Sequence, residues 1–370
     1  MGKPILWMFF SFFVLHFSVL FYPQQHDVSE GEVVSGEVKK DEGKGFNAVD
    51  MIMEHVGDSN DWHLWTKTDK NGRQHHVSVP LPVIIKDHNG WHMFLSSTVA
   101  HGRERSGYTL EDGRIVSTTG IKKATLFSLI SGKQKFNEVF YDFSITKLVA
   151  SLLFSVVFMV VIFVGMARGY GKSPVPSGFG KFMEPVIIFI RDEVAIPNVG
   201  IVKYKTYLPY LLTIFFFIWF NNLLGLIPFF PGGANLTGNI AVTCVLAVIT
   251  LVITLFSANR SYWKHIFMPP VPLPLYIIMV PIEIIGIFTK PFALMMRLFA
   301  NITAGHIMAL AVVALIFIFK SPYLGFVSVP LGIFVSVLEL LVAILQAYIF
   351  TILSALFIGL AVADHAHEEH

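Results

Sequence analysis

YIIMVPIEIIGIFTKPFALMMRLFANITAGHIMALAVVALIFIF, residues 276–319, decides what kind of protein this is. Nearly every position suits hydrocarbon, yet the stretch carries Glu283, Lys290, Arg297, Asn301 and His306. Arg297 is the residue most in need of explanation. A guanidinium does not give up its proton in proteins, so it cannot escape its charge as a buried lysine or glutamate can. Placing it near mid-membrane costs about 2.5–3.5 kcal/mol on insertion scales. Something that needs a permanent positive charge there must offset that cost.

Composition agrees with a membrane protein bearing one soluble insert. Hydrophobic residues make up 54% of the chain and charged residues 14%, and several apolar runs reach spanning length. The net charge of +2 is too small to point to nucleic acid. Cys244 is the only cysteine, which leaves no disulfide framework and no thiol metal cluster.

Working outward, Met1 to about Tyr22 holds Lys3 and then an apolar run, the pattern of a signal peptide or signal anchor. Residues 23–45 are polar, of mixed charge, and read as a flexible linker. Residues 46–146 form a β-prone soluble insert. Asn71-Gly72 and Asn89-Gly90 stand between strand-like runs such as His76–Ile85 and Trp91–Leu95, which predicts hairpins. The insert's histidines (His55, His63, His75, His76, His88, His92, His101) lack ligand spacing, so no metal is expected.

Residues 147–363 form a membrane-embedded domain, followed by a short tail, 364–370. Leu148–Ala167 is one span, and Tyr207–Phe230 with Leu236–Ala258 reads as a hairpin of spans. Leu275–Phe319 and Phe326–Ala363 hold roughly 45 and 38 residues, about 67 and 57 Å as helix. Each is too long for one upright span, and neither has a polar loop to divide it. Two long, strongly tilted helices account for both facts, kinked where Pro281, Pro291 and Pro330 fall.

Arg168, Lys172, Lys181, Arg191, Lys203 and Lys205 follow the first span, and Arg260 and Lys264 precede the long helices. The alternate loops carry almost no basic residues, so the basic ones face the cytoplasm. That puts the insert outside and the tail inside. Phe182, Val186, Ile190 and Val194 recur every four residues, which predicts an amphipathic helix on the cytoplasmic membrane surface.

Helix positions seven apart fall within about 20° of one another. Glu283, Lys290 and Arg297 therefore share a stripe if Pro291 keeps the register, and Asn301 shares the arginine's face. His306 lies half a turn round from Arg297 and about 13 Å along the axis. Glu339 and Gln346 form a second stripe on the last helix. Titratable groups on one side and a fixed cation on another suit a proton path, since ionisable groups within a membrane mark such routes. Interhelical glue is the competing reading for Asn301 and Gln346, and a static ion pair with Glu283 or Glu339 the competing one for Arg297.

TKPFALMMRLFANITAGH (289–306) resembles the signature of subunit a of F-type ATP synthases, and LQAYIF (345–350) matches that family's final helix. WFNNLLGL (219–226) and residues 234–240 agree more weakly. The resemblance runs from about Leu148 to Ala363. It implies an all-α polytopic membrane protein, with upright spans and two long tilted helices packed against a rotor ring, carrying an N-terminal extracytoplasmic β-prone insert. It also implies a non-catalytic, cofactor-free stator subunit with two proton half-channels, in the bacterial inner membrane. Its partners would be a ring of small proteolipid c subunits, peripheral-stalk b subunits, the proton and the bilayer.

By the same resemblance Arg297 matches the essential arginine facing the rotor, while Asn301 and Gln346 match polar neighbours lining the path. His306 and Glu339 occupy two coupled positions that hold a glutamate and a histidine in either order, here with the histidine first. Glu283 matches an acidic position on the proton route. Gly225 stands where some members have an access-channel aspartate, so that role is unassigned. Whether H+ or Na+ is carried rests on the rotor carboxyl in another chain. The rival class is a stand-alone secondary transporter, but the internal repeats usual there are missing.

Overall fold

The computed structural model describes residues 57–68, 74–100, 102–111, 113–124, 139–171, 178–227, 232–269, 271–319, 323 and 325–363. The expected signal segment 1–22, the linker 23–45, the first residues of the insert and the tail 364–370 lie outside the described residues. The chain divides into two compact units. One holds residues 149–305 and 337–363, and the other holds residues 57–148 and 306–336.

The insert is built of strands. β1 (Asp61–Thr68) and β2 (Gln74–Pro80) form an antiparallel hairpin. β3 (Pro82–Asp87) and β4 (Gly90–Leu95) form a second, and β5 (Tyr108–Glu111) and β6 (Arg114–Ser117) a third. β7 (Lys122–Lys123) and β8 (Val139–Asp142) are parallel and complete a four-stranded sheet in the order β4-β3-β8-β7.

The run His76–Ile85 is not one strand, because Pro80 and Pro82 lack the amide protons a ladder requires. Between them Leu81 N donates to Ser96 Oγ at 3.0 Å, and Ser96 N returns a bond to Leu81 O at 2.9 Å. The hairpin at Asn89-Gly90 is also shifted by one residue from the type I′ pattern. Asp87 pairs with Gly90, so His88 and Asn89 are the central residues, and neither has positive φ. Asp at the first position and Gly at the fourth are type I preferences. The Asp87 carboxylate secures the turn by accepting from Asn89 N at 2.7 Å and Gly90 N at 3.1 Å.

Alternation along β3 and β4 sends Val83, Ile85 and Phe94 into a core with Val99, Tyr108, Ile115 and Phe140. Asp87 sits at the core's margin, where its Oδ2 accepts from Tyr108 Oη at 2.9 Å. Burial pushes the Asp87 carboxyl up, but bonds from Tyr108, Asn89 N and His92 outweigh it and hold the group below its ordinary range.

Helices form the rest. α1 (Lys147–Tyr170), α4 (Tyr204–Leu226), α5 (Ile240–Ser257), α7 (Tyr276–Phe319) and α8 (Gly325–Val362) include the five segments long and apolar enough to cross a bilayer. Shorter pieces lie between them: α2 (Gly180–Phe189), α3 (Ile196–Val199) and α6 (Arg260–Phe267). α4 is apolar all round and supplies the core of its unit, burying Leu211, Ile214, Phe215, Phe216, Ile218 and Phe220. Phe163 of α1 meets Phe216 edge-on at 4.9 Å. Hydroxyls join three helices at one level, with Tyr210 Oη 2.7 Å from Thr250 Oγ1 and Thr250 Oγ1 3.4 Å from Ser354 Oγ.

The expected amphipathic helix is present but interrupted. A π-helical turn at Ile190–Ala195 joins α2 to α3. Met183, Ile190, Val194 and Val199 turn inward, whereas Phe182, assigned to the apolar stripe, is exposed. The end of α8 is anchored nearby. Lys203 Nζ and Asn259 Nδ2 donate to Val362 O at 2.6 and 2.9 Å, placing a cation on the helix's negative end. Gly359 lets the helix touch the Asn198 carbonyl so closely that a Cβ would collide with it.

Candidate functional site

α7 continues through Pro281 and Pro291, so the helical register that links Glu283, Lys290 and Arg297 is unbroken. Leu294, Leu298 and Ile302 recur at intervals of four and are each at most 3% exposed; they are the helix's packed face. Arg297 and Asn301 are exposed, and so are Ala293, Ala300 and Ala304 around them. The arginine therefore stands on an outward stripe of small residues. It belongs to none of the ion pairs among the described residues, such as those joining His92 to Asp87, Lys123 to Asp142 and Arg191 to Asp192. The static pair with Glu283 or Glu339 weighed above is not formed.

Lys290 is exposed and lies 5.9 Å from the Phe357 ring centroid on α8, a cation–π contact at the helix surface. Glu283 is half-buried near α6. Burial, and after it the Glu283 charge, raises the Tyr262 hydroxyl above its ordinary range.

On α8 the second stripe points the other way. Glu339, Ala343, Gln346, Ala347 and Phe350 are all buried. Glu339 rests against the backbone of α7 at Gly305, where an added Cβ would lie 3.2 Å from Oε1 and 3.4 Å from Cδ. Gly305 immediately precedes His306, which is itself half-buried. The site thus has an open part, Arg297 with Asn301, and an enclosed part, Glu339 with Gln346.

Residues that sequence reasoning gave no role join the enclosed part. Asn222 Nδ2 on α4 donates to Ala343 O on α8 at 3.2 Å, and its Oδ1 accepts from Thr237 Oγ1 at 2.5 Å. Thr303 Oγ1 on α7 donates to Gly238 O at 3.3 Å. Asn221 Oδ1 and Asn235 Nδ2 are buried there without a protein partner among the described residues. The signal was available in the asparagines of WFNNLLGL and of residues 234–240, because amides in hydrocarbon need partners. Gly305 was visible only as the letter before His306.

Five helices long and apolar enough to cross a membrane, two of them carrying polar stripes, define a polytopic membrane protein. Comparison with known proteins narrows this class. A family model described as ATP synthase A chain matches residues 148–359, and one for a domain of unknown function matches residues 51–143. ATP synthase subunit a of Chloroherpeton thalassium is 46% identical over 240 residues, covering 62% of this chain and 71% of the relative. That of Chlorobium phaeobacteroides is 42% identical over 283 residues, covering 73% and 79%. ATP synthase subunit a 2 of Chlorobaculum tepidum is 49% identical over 240 residues, covering 62% and 67%. The chain belongs to the ATP synthase A chain family.

Proposed function

We propose that this chain is the stator subunit of an ATP synthase membrane sector, non-catalytic itself, guiding protons to and from a rotor ring of small carboxyl-bearing subunits. One observation carries the reading: Arg297 holds a permanent charge on an outward face and makes no ion pair among the described residues. The alanines around it let a neighbouring helix approach closely. A rotor carboxyl brought to that face supplies the missing anion. The most apolar windows of α7 and α8 are only 17% and 22% buried, against 56% for α4, so these two helices offer the surface for such a partner. Strong tilt in the bilayer would let them follow the ring's curved side.

The chemistry follows from the charge. A cation nearby lowers a carboxyl's pKa by about 1–3 units, each worth about 1.36 kcal/mol. A rotor carboxyl arriving at Arg297 gives up its proton to one half-channel and, having passed, takes one from the other. The guanidinium keeps its own proton, so none hops straight across. The membrane potential supplies about 2.3 kcal/mol per charge per 100 mV. His306, Glu339, Gln346, Asn301 and Glu283 line the two half-channels in this scheme. Asn221 and Asn235, with spare hydrogen-bonding capacity, suit a hydrated approach. The subunit sits in the bacterial inner membrane with peripheral-stalk subunits beside it, the insert (46–146) outside and the tail (364–370) inside.

Purification from native membranes in mild detergent tests this directly. The chain should bring with it a ring of small proteolipids and the soluble catalytic head. Recovery of an active transporter without them would overturn the proposal in favour of a stand-alone carrier.

Gly305 offers a second test. Gly305→Val places branched carbon where only about 3.2 Å separates the built Cβ from the Glu339 carboxylate. Overpacking of this kind costs typically about 1–3 kcal/mol, here borne by the position of Glu339. ATP-driven proton uptake by vesicles should fall severely for valine and mildly for alanine, with the assembled complex still present. Equal uptake in wild type and Gly305→Val would show that the Glu339 position is not critical.

A further inference from the structure

We propose that the outward face of β4 is a bilayer-contacting surface, with Leu95, Met93 and Trp91 seated on the phospholipid interface beside the point where α1 enters the membrane. Three large apolar side chains at alternate positions of this strand are open: Trp91 is 57% exposed, Met93 68% and Leu95 47%. Their neighbour Phe94 points the other way, into the core. β4 is also the edge of its sheet, so no strand lies beyond it among the described residues. A water-exposed edge of this character invites association, and soluble proteins usually blunt it with charge.

The occupant is indicated by the chain's own connection to the membrane. β8 ends at Asp142 and α1 begins at Lys147. The residues between are not a slack tether. Phe143 N donates to Ile84 O at 2.8 Å and Ile145 N to Pro82 O at 3.0 Å, while Ile84 N donates to Ser144 Oγ at 3.1 Å. The first amides of α1 are held by the insert as well: Lys147 N bonds Ser59 O at 2.8 Å and Leu148 N bonds Asp58 Oδ1 at 3.1 Å. From Leu148 onward the sequence is hydrocarbon-compatible. The sheet is thereby fixed within a few residues of the membrane surface.

The order of side chains along the face fits that surface. Leu95 pairs with Pro82, the residue whose carbonyl holds Ile145, so it lies nearest the membrane entry. Met93 pairs with Ile84 one step further out, and Trp91 pairs with Lys86 a step beyond. Each step of two residues is about 7 Å. The aliphatic residues come first, and the pair that follows has Lys86 Nζ 5.3 Å from the Trp91 ring centroid. Indole and ammonium groups favour the headgroup level, where the ring is partly apolar and the charge stays wet. Phe143, 5.7 Å from Trp91, extends the same aromatic zone.

The test uses the full chain reconstituted into vesicles of phosphatidylethanolamine and phosphatidylglycerol. In a Cys244→Ser background, a fluorophore sensitive to its surroundings is attached at Met93→Cys, at Leu95→Cys or at Val116→Cys. Val116 is an exposed reference position on β6, 40% open. Labels at 93 and 95 should be quenched by headgroup spin-labelled lipid and lose most of their quenching by aqueous iodide, with the label at 95 the more strongly protected. The label at 116 should remain open to iodide. Iodide access at 93 and 95 equal to that at 116 would overturn the proposal. So would protection from iodide without quenching by spin-labelled lipid, which would mean that protein, from this chain or another copy, covers the face.

Discussion

Arg297→Ala abolishes ATP-driven proton pumping and proton-driven ATP synthesis while leaving the chain inserted and assembled. The two effects separate because they have opposite signs. Removing a guanidinium from mid-membrane relieves an insertion cost of about 2.5–3.5 kcal/mol, so the variant should enter the bilayer at least as readily as wild type. Loss of transport then cannot be charged to misfolding. On the proposed mechanism, what disappears is the field that strips a proton from an arriving carboxyl, worth about 1–3 pKa units, or about 1.4–4 kcal/mol at 1.36 kcal/mol per unit. Without it the carboxyl has no reason to release its proton on one side and reload on the other. Arg297→Lys should also lose most coupled transport, because an ammonium shifts its pKa readily when buried and presents a point charge in place of a planar fork. Inverted vesicles, assayed by quenching of a pH-sensitive dye, give the readout, with membrane content of the chain checked in parallel. Pumping retained by Arg297→Ala would remove the central charge from the mechanism. Repeating the wild-type assay with and without sodium identifies the carried ion.

How much of this could be read in the chain follows from the range of the interactions involved. Apolar runs with no polar break fixed the extents of α7 and α8 to within a few residues, because a helix in lipid satisfies its own backbone. The seven-residue spacing of Glu283, Lys290 and Arg297 held because helix register survives Pro291 when the surrounding positions are good spans. The β3–β4 hairpin was legible from Asn89-Gly90, but its turn type was not, since Asp87's side chain competes for the turn amides and moves the loop back by one residue. The π-helical turn at Ile190–Ala195 left no mark in composition; Ile190 and Val194 of the four-residue stripe are buried as expected, while Phe182 is exposed. The bond from Asn222 to the Ala343 carbonyl joins residues 121 apart in sequence, and nothing local announces it. Polar residues in hydrocarbon could be picked out one by one; which of them share an enclosed pocket needed the tertiary fold.

The pair His306 and Glu339 carries the other large expected effect. Each single exchange leaves two groups of one kind, two carboxyls in His306→Glu and two imidazoles in Glu339→His. At positions coupled as the proposed route requires, two acids cannot both ionise cheaply, and two imidazoles offer no anion to receive a proton. Either single variant should therefore lose most ATP-driven proton uptake. The double exchange restores one acid and one base in reversed order. Gly305 makes some recovery plausible on steric grounds, since α7 presents no side chain at the position where Glu339 packs, and an imidazole is only modestly bulkier than a carboxyethyl group. Groups within one network couple by about 0.5–3 kcal/mol. The double variant should accordingly exceed the product of the two single activities by at least about twofold, the lower end of that range. Full recovery is not expected, because the enclosed wall around position 339 is shaped for glutamate. A double variant that performs no better than the product of the singles would mean the two residues act independently, and the proton route would then have to pass through the asparagines of α4 without them.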